Sequence, residues 1–66
     1  MNNKLANLID KAALGDLDAA AAIGIGYYKG TFGTPNYEKA LKWTSYAAKK
    51  GHKEAIAILE DIKKML

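Results

Sequence analysis

Apolar residues spaced three and four apart recur along the whole sequence, which is the period of an amphipathic helix. The spacing predicts a first helix from about Asn3 to Leu14, ended by Gly15. A second, alanine-rich helix is predicted to extend to about Lys29. Asp16 or Asp18 is its expected N-cap, because a carboxylate there accepts backbone N–H groups and favours the positive end of the helix dipole. No segment alternates as a strand should, so the chain is predicted to be all-α.

The strongest helix-breaking cluster is residues 30–36, which combine two glycines with the single proline. A third helix is predicted after it, capped by Thr34 or Asn36 and ended by Gly51. A fourth helix is predicted for the remaining residues. The inward stripes predicted for the third and fourth helices are Tyr37, Ala40, Leu41, Thr44, Ala47 and Ala48, followed by Ala55, Ile58, Leu59, Ile62, Met65 and Leu66.

A shift of 36 residues aligns the two halves of the sequence. It places Gly15 on Gly51 and Ala19 on Ala55, so the helix-ending glycine and the alanine early in the next helix recur at the same positions of the repeat. A period of this length fits one helical hairpin, and it predicts a short α-α solenoid of two stacked hairpins. The 66 residues leave room for one domain, residues 1–66, and the absence of cysteine leaves its stability to packing alone.

The stretch from Gly15 to Gly51 also carries a distinctive order of residue types. Its members are Ile23-Gly24, Tyr27, Gly30, Lys39-Ala40, Trp43, Ala47-Ala48 and Gly51. This order resembles the Sel-like repeat (SLR) family, relatives of the tetratricopeptide repeat. The resemblance covers one full repeat and departs in the loop, where the family usually has Gly-Val and then an aspartate. It implies that the two outer helices are half-repeats that cap the stack with polar residues.

The resemblance implies a non-enzymatic protein–protein interaction module that binds a partner protein or peptide on its concave face. The implied contact residues are Asp18, Ala21, Ile25, Tyr28 and Lys29 in the full repeat, and Glu54, Ala57, Asp61 and Lys64 one period later. A partner's peptide or helix is expected to lie across Ile25 and Tyr28, flanked by charged side chains. The alternative is a small inhibitor or immunity-like factor that occludes or sequesters an enzyme.

Residue types that carry catalysis or metal binding are sparse. His52 is the only histidine and there is no cysteine, so the expected role of the imidazole is to cap backbone groups or to face solvent. Ser45 falls in the middle of a helix, and no strand precedes the glycines at 24 and 26. We therefore expect no enzymatic activity, no cofactor and no metal. The rings expected to fill the space between the hairpins belong to Tyr27, Tyr37, Trp43 and Tyr46.

The charge of the chain raises a second class of function, nucleic-acid binding. The formal net charge is +3, and all ten basic residues are lysines. Without arginine the chain lacks the side chain that best forms paired hydrogen bonds to phosphates and bases. The lysines are therefore expected to form a solvated helix face rather than a nucleic-acid-binding surface. The lysines concerned are Lys39, Lys42, Lys49, Lys50 and Lys53, and a steep loss of binding with salt would support the alternative.

Two further expectations concern assembly and location. Solenoids usually need about three repeats, and Ile56 falls off the main stripe of the last helix while Met65 and Leu66 end the chain with apolar side chains. These features predict either a homo-oligomer or a bound partner, in either case through a terminal helix. No apolar stretch is long enough to cross a bilayer, and the first residues lack a secretory signal, so a cytoplasmic location is expected.

Overall fold

The computed structural model describes residues 3–65, and within that range it contains four helices and no strand. The helices are α1 (Asn3–Ala13), α2 (Leu17–Lys29), α3 (Tyr37–Lys49) and α4 (Lys53–Met65). Helix α2 lies at the centre and contacts the other three, α3 also contacts α4, and α1 contacts α2 alone among the helices described. The prediction of an all-α stack of two hairpins is confirmed.

The ends of α1 and α3 have the same backbone geometry, 36 residues apart. Gly15 has a φ of 96° and Gly51 a φ of 93°, in the left-handed region that favours glycine. The next residue in each case, Asp16 or His52, donates its backbone N–H to the carbonyl five residues earlier, at 3.1 Å in both turns. The repeat found in the sequence is therefore also a repeat of the backbone structure.

Those same two residues begin the next helix. The Oδ1 atom of Asp16 accepts a hydrogen bond from the backbone N–H of Ala19 at 3.1 Å. The Nδ1 atom of His52 accepts one from Ala55 at 3.2 Å. Asp16 rather than Asp18 is thus the N-cap of α2. In each of the two turns, one residue donates the hydrogen bond that ends one helix and caps the start of the next. Such short links fix the hairpin geometry because they leave the chain little freedom between helices.

The loop of residues 30–36 is held by backbone and ring contacts. Gly30 ends α2 with a φ of 81°, and Asn36 begins α3 with its side-chain oxygen. The backbone N–H of Asn36 also reaches back to the Tyr27 carbonyl at 2.9 Å. The Phe32 ring packs edge-on against the Tyr27 ring, with 5.3 Å between centroids. The loop therefore folds back over the end of α2, which places Phe32 beside that helix.

The core is built mostly from alanine. The largest fully buried side chains are Ile23, Thr44 and Ile62, and the Thr44 hydroxyl donates to the Ala40 carbonyl at 2.7 Å. Helices α2 and α3 approach so closely at Gly24 that a Cβ atom there would lie 2.6 Å from the Thr44 Cγ2 atom. Small residues thus let the helices pack closely. The buried alanines are Ala12, Ala19, Ala20, Ala21, Ala40, Ala47 and Ala55.

Three residues predicted to face inward are exposed, and those predictions are wrong. Tyr46 is 42% exposed, because the backbones of α1 and α3 stay apart and leave a groove between them. Tyr37 is 39% exposed at the first turn of α3, and Met65 is 51% exposed at the end of α4. Tyr27 and Trp43 do pack against the core, as expected. The prediction for Leu66 lies outside the described residues.

Candidate functional site

An open groove of about 390 Å³ lies along one face of α1 and α2, and we call it the α1–α2 groove. Its floor is apolar and its rim is polar, which is the arrangement typical of surfaces that bind proteins or peptides. The floor consists of Leu8, Ala22, Ile25, Gly26 and Phe32, and the rim of Lys4, Asp18, Lys29, Thr31, His52 and Glu54.

The rim is positive at one end and negative at the other. Helices α1 and α2 are joined by a short turn and pack as antiparallel neighbours, so Lys4 lies at the same end as Lys29. Asp18 lies at the start of α2, and Glu54 is in the first turn of α4. At a rise of 1.5 Å per residue, Asp18 and Lys29 are about 16 Å apart along α2. The groove therefore has a direction defined by charge.

His52 sits at the acidic end, where its imidazole connects α2 with α4. Its Nε2 atom lies 2.9 Å from Oδ1 of Asp18, and its side chain is 15% exposed whereas that of Asp18 is 92% exposed. Because Nδ1 accepts the N–H of Ala55, it carries no hydrogen, so Nε2 carries the ring hydrogen and donates it to Asp18. The expectation that His52 caps backbone groups is confirmed.

Replacing His52 with alanine is expected to lower the free energy of unfolding by about 1 kcal/mol, because α4 loses its N-cap. The His52→Asn variant is the matched control, since asparagine caps well and adds no charge next to Asp18. Urea denaturation of both variants would measure the difference, and ¹⁵N shifts of the single imidazole would report the tautomer directly. Equal losses in the two variants, or a ring hydrogen found on Nδ1, would contradict this assignment.

The structure brings four of the sequence-predicted contact residues to the α1–α2 groove and leaves the others elsewhere. Those that line it are Asp18, Ile25, Lys29 and Glu54. Ala21 is 1% exposed, so its assignment to the binding face is wrong: α2 is covered on that side by its neighbours. Tyr28 is half-buried outside the groove, with its ring centroid 6.0 Å from that of Tyr37. The three remaining residues, Ala57, Asp61 and Lys64, are exposed on α4 and do not line the groove.

Several groove residues do not feature among the contact residues predicted from the sequence. Lys4 and Leu8 come from α1, which the family pattern treats as an outer half-repeat, and Phe32 comes from the loop where the pattern departs. The 36-residue offset was the available signal for α1. It aligns Lys4 with Ala40 and Leu8 with Thr44, both of which pack under another helix.

A second groove of about 420 Å³ separates α1 from α3, and we call it the α1–α3 groove. It is lined by Ile9, Ala12, Ala13, Lys42, Trp43 and Tyr46. It exists because α1 and α3 both pack on α2 while their backbones stay apart. Its walls are almost entirely apolar, with Lys42 as the charged lining residue, so it lacks the ordered polar rim of the α1–α2 groove.

The five lysines considered for nucleic-acid binding are all exposed. Two of them lie over aromatic rings, with the Lys39 Nζ atom 5.4 Å from the Tyr27 centroid and the Lys50 Nζ atom 5.9 Å from that of Tyr46. Within residues 3–65, no group of three acidic or histidine side chains is placed to hold a metal ion. No helix of that same range is long and apolar enough to cross a membrane.

Fold and grooves together define a small all-α domain of stacked helical hairpins with an open, charged-rim groove on its central helix. Comparison with protein-family models, with curated proteins and with solved structures finds no match for this chain.

Proposed function

We propose that the protein is a non-enzymatic interaction module of the SLR type, which binds a segment of another protein in the α1–α2 groove. The observation that carries the proposal is the groove itself, with an apolar floor that includes Ile25 and charged residues at both ends. Burial of apolar side chains on such a floor supplies affinity, and the charged rim supplies register. The residue order of the repeat and the recurrence of its backbone geometry support the family assignment.

The hydrogen bonding at the groove argues for binding rather than catalysis. A general base needs a free nitrogen or oxygen within reach of a substrate proton. Both nitrogens of His52 are engaged, one with the backbone of Ala55 and one with Asp18. The Asp18 side chain is 92% exposed, so water competes for it. The single imidazole of this chain thus serves the fold, and the groove offers recognition.

One groove with a single charge direction suits one partner at a time. Blocking or sequestering that partner, as a small inhibitor does, is therefore a mode of action that belongs to the proposal alongside a simple adaptor role. The proposal also includes a cytoplasmic location. Self-association through a terminal helix stays a prediction, motivated by Ile56 and Met65, which are 42% and 51% exposed on α4.

The proposal is tested by selecting ligands from a displayed library of natural protein segments and measuring their affinity for two variants. Ile25→Asp places a charge on the half-buried floor of the groove and is expected to weaken selected ligands by tenfold or more, because a desolvated charge would lie under the ligand. Ile56→Asp, on exposed surface outside the groove, is the matched control and should leave affinity unchanged.

The proposal fails if the library yields no ligand whose binding depends on Ile25. Circular dichroism of both variants shows whether the helices are retained, so that a lost interaction is not confused with unfolding. Binding of duplex DNA or RNA that falls steeply between low and physiological salt, and that ignores the Ile25→Asp change, would instead favour the lysine-rich surface.

A further inference from the structure

We infer that the α1–α2 groove receives an amphipathic helix of a partner protein, lying parallel to α2 with basic residues beside Asp18 and Glu54 and acidic residues beside Lys4 and Lys29. The inference rests on the proposed function and adds to it the conformation, the direction and the charge pattern of the ligand. Three observations carry it: the internal repeat, the burial of equivalent residues and the charge of the two ends.

The repeat shows what covers a surface of this kind. A shift of one period places α1 on α3 and α2 on α4. The surface formed by α3 and α4 is covered by α2, which contacts both helices. The α1–α2 groove includes part of the corresponding surface one period earlier, at Lys4 and Leu8. The fold thus already contains a helix seated on the equivalent pair.

Burial of the equivalent residues supports this correspondence. The groove residues Lys4 and Leu8 correspond to Ala40 and Thr44, which are both 0% exposed. Lys4 and Leu8 line an open groove in the first half of the chain, whereas the residues equivalent to them are covered in the second half. A helix therefore fits the shape of the groove better than an extended strand, which has a different side-chain period.

The repeat also sets the direction of the bound helix, and the charges agree with it. Because α2 and α4 are related by the repeat, a helix that takes the place of α2 one period earlier runs parallel to α2. Its N-terminus, the positive end of its dipole, then lies beside Asp18 and Glu54. Its C-terminus, the negative end, lies beside Lys4 and Lys29. Helix dipole and rim charges thus favour the same orientation.

The spacing of the rim specifies the charge pattern of the ligand. Asp18 and Lys29 are about 16 Å apart, which is three turns of helix. A ligand helix of about 12 residues therefore needs a basic residue in its first turn and an acidic one in its last. Between them, residues at i, i+3, i+4 and i+7 would contact Ile25 and Phe32 on the floor.

The helix of a second copy is a poorer occupant than a partner's helix. Within the chain, α2 seats on α3 through Gly24, where even a Cβ atom would lie 2.9 Å from the backbone nitrogen of Thr44. The residue that corresponds to Gly24 in α4 is Glu60. A second copy's α4 would place this carboxylate against Leu8 on the groove floor, and removing the carboxylate from water there would cost free energy. The ligand we infer has a small or apolar residue at that point.

The inference is tested with three labelled helical peptides of about 14 residues, measured by fluorescence anisotropy at about 0.15 M salt. The first has the apolar stripe, lysines in the first turn and glutamates in the last. The second has the same composition with these charges exchanged, and the third carries a proline at its centre. We expect the first to bind about tenfold more tightly than the second, since two exposed charge pairs become repulsive, and the third to lose binding because its helix is broken.

The double variant Lys29→Glu/Glu54→Lys leaves one charge of each sign at both ends of the rim at unchanged net charge, so it should abolish the preference between the first two peptides. Equal binding of the exchanged peptides, an unchanged preference in the double variant, or undiminished binding of the proline peptide would overturn the inference. So would sedimentation showing that free chains dimerise unless Ile25 is replaced by aspartate. In each case, library ligands that depend on Ile25 would leave the proposed function standing.

Discussion

Replacing Gly24 with alanine is expected to lower the free energy of unfolding by about 2 kcal/mol, although alanine is the better helix former. The added Cβ would lie 2.6 Å from Thr44 Cγ2, 2.9 Å from the Thr44 backbone nitrogen and 3.1 Å from the Trp43 Cβ atom. A backbone atom cannot rotate aside, so α2 and α3 would have to separate. The gain in helix propensity, roughly 1 kcal/mol, does not offset the loss of packing between these helices.

Gly26→Ala is the matched control, two residues further along the same helix. There the added Cβ would overlap the ring of Phe32, a half-buried side chain of the loop that can turn towards solvent. The same propensity gain applies, and we expect a loss of less than about 1 kcal/mol. Urea denaturation monitored by circular dichroism would rank the two variants. Equal losses would show that α2 and α3 do not depend on close approach at Gly24.

The helices and their order could be predicted from the sequence because both depend on local chemistry. Apolar spacing marks a helix, and a left-handed glycine such as Gly15 or Gly51 marks its end. The choice between neighbouring caps was harder. Asp16 and Asp18 are both good N-cap residues, and the structure selects Asp16 because the preceding turn already uses its backbone N–H.

The separation of the helices could not be predicted in the same way. A period of 3.6 residues assigns a residue to a face, but it does not say whether another helix reaches that face. Tyr46 lies on the side of α3 that faces α1, and it stays 42% exposed because the backbones of the two helices stay apart. Ala21 shows the converse error: α2 is surrounded by three helices, so a position assigned to its open face is buried.

Only some of the residues that line the α1–α2 groove could be predicted from the sequence. Ile25 and the charged residues on either side of it follow from the resemblance of the sequence to the SLR family, and they do line the groove. Lys4 and Leu8 were missed because α1 is an outer helix with a polar signature. The offset of 36 residues aligns them with Ala40 and Thr44. The offset relates α1 to the groove only once the burial of Ala40 and Thr44 is known from the structure.

Replacing Ile62 with alanine is expected to lower the free energy of unfolding by about 3 kcal/mol. The Ile62 side chain is 0% exposed, and it is one of the few large side chains in a core built mostly from alanine. Its removal therefore leaves a cavity that small neighbours cannot fill. A domain of this size has a total stability of roughly 3–10 kcal/mol, so the variant should unfold well below the denaturant concentration of the wild type.

Ile56→Ala on the same helix supplies the comparison, because the chemical change and the propensity gain are the same while Ile56 is 42% exposed. We expect it to cost less than about 1 kcal/mol, so the difference between the two variants isolates burial in the core from helix formation. Similar midpoints for both would mean that α4 is not docked through Ile62. The comparison also bears on binding, since a surface position that tolerates alanine is what makes Ile56→Asp a sound control for Ile25→Asp in the ligand selection.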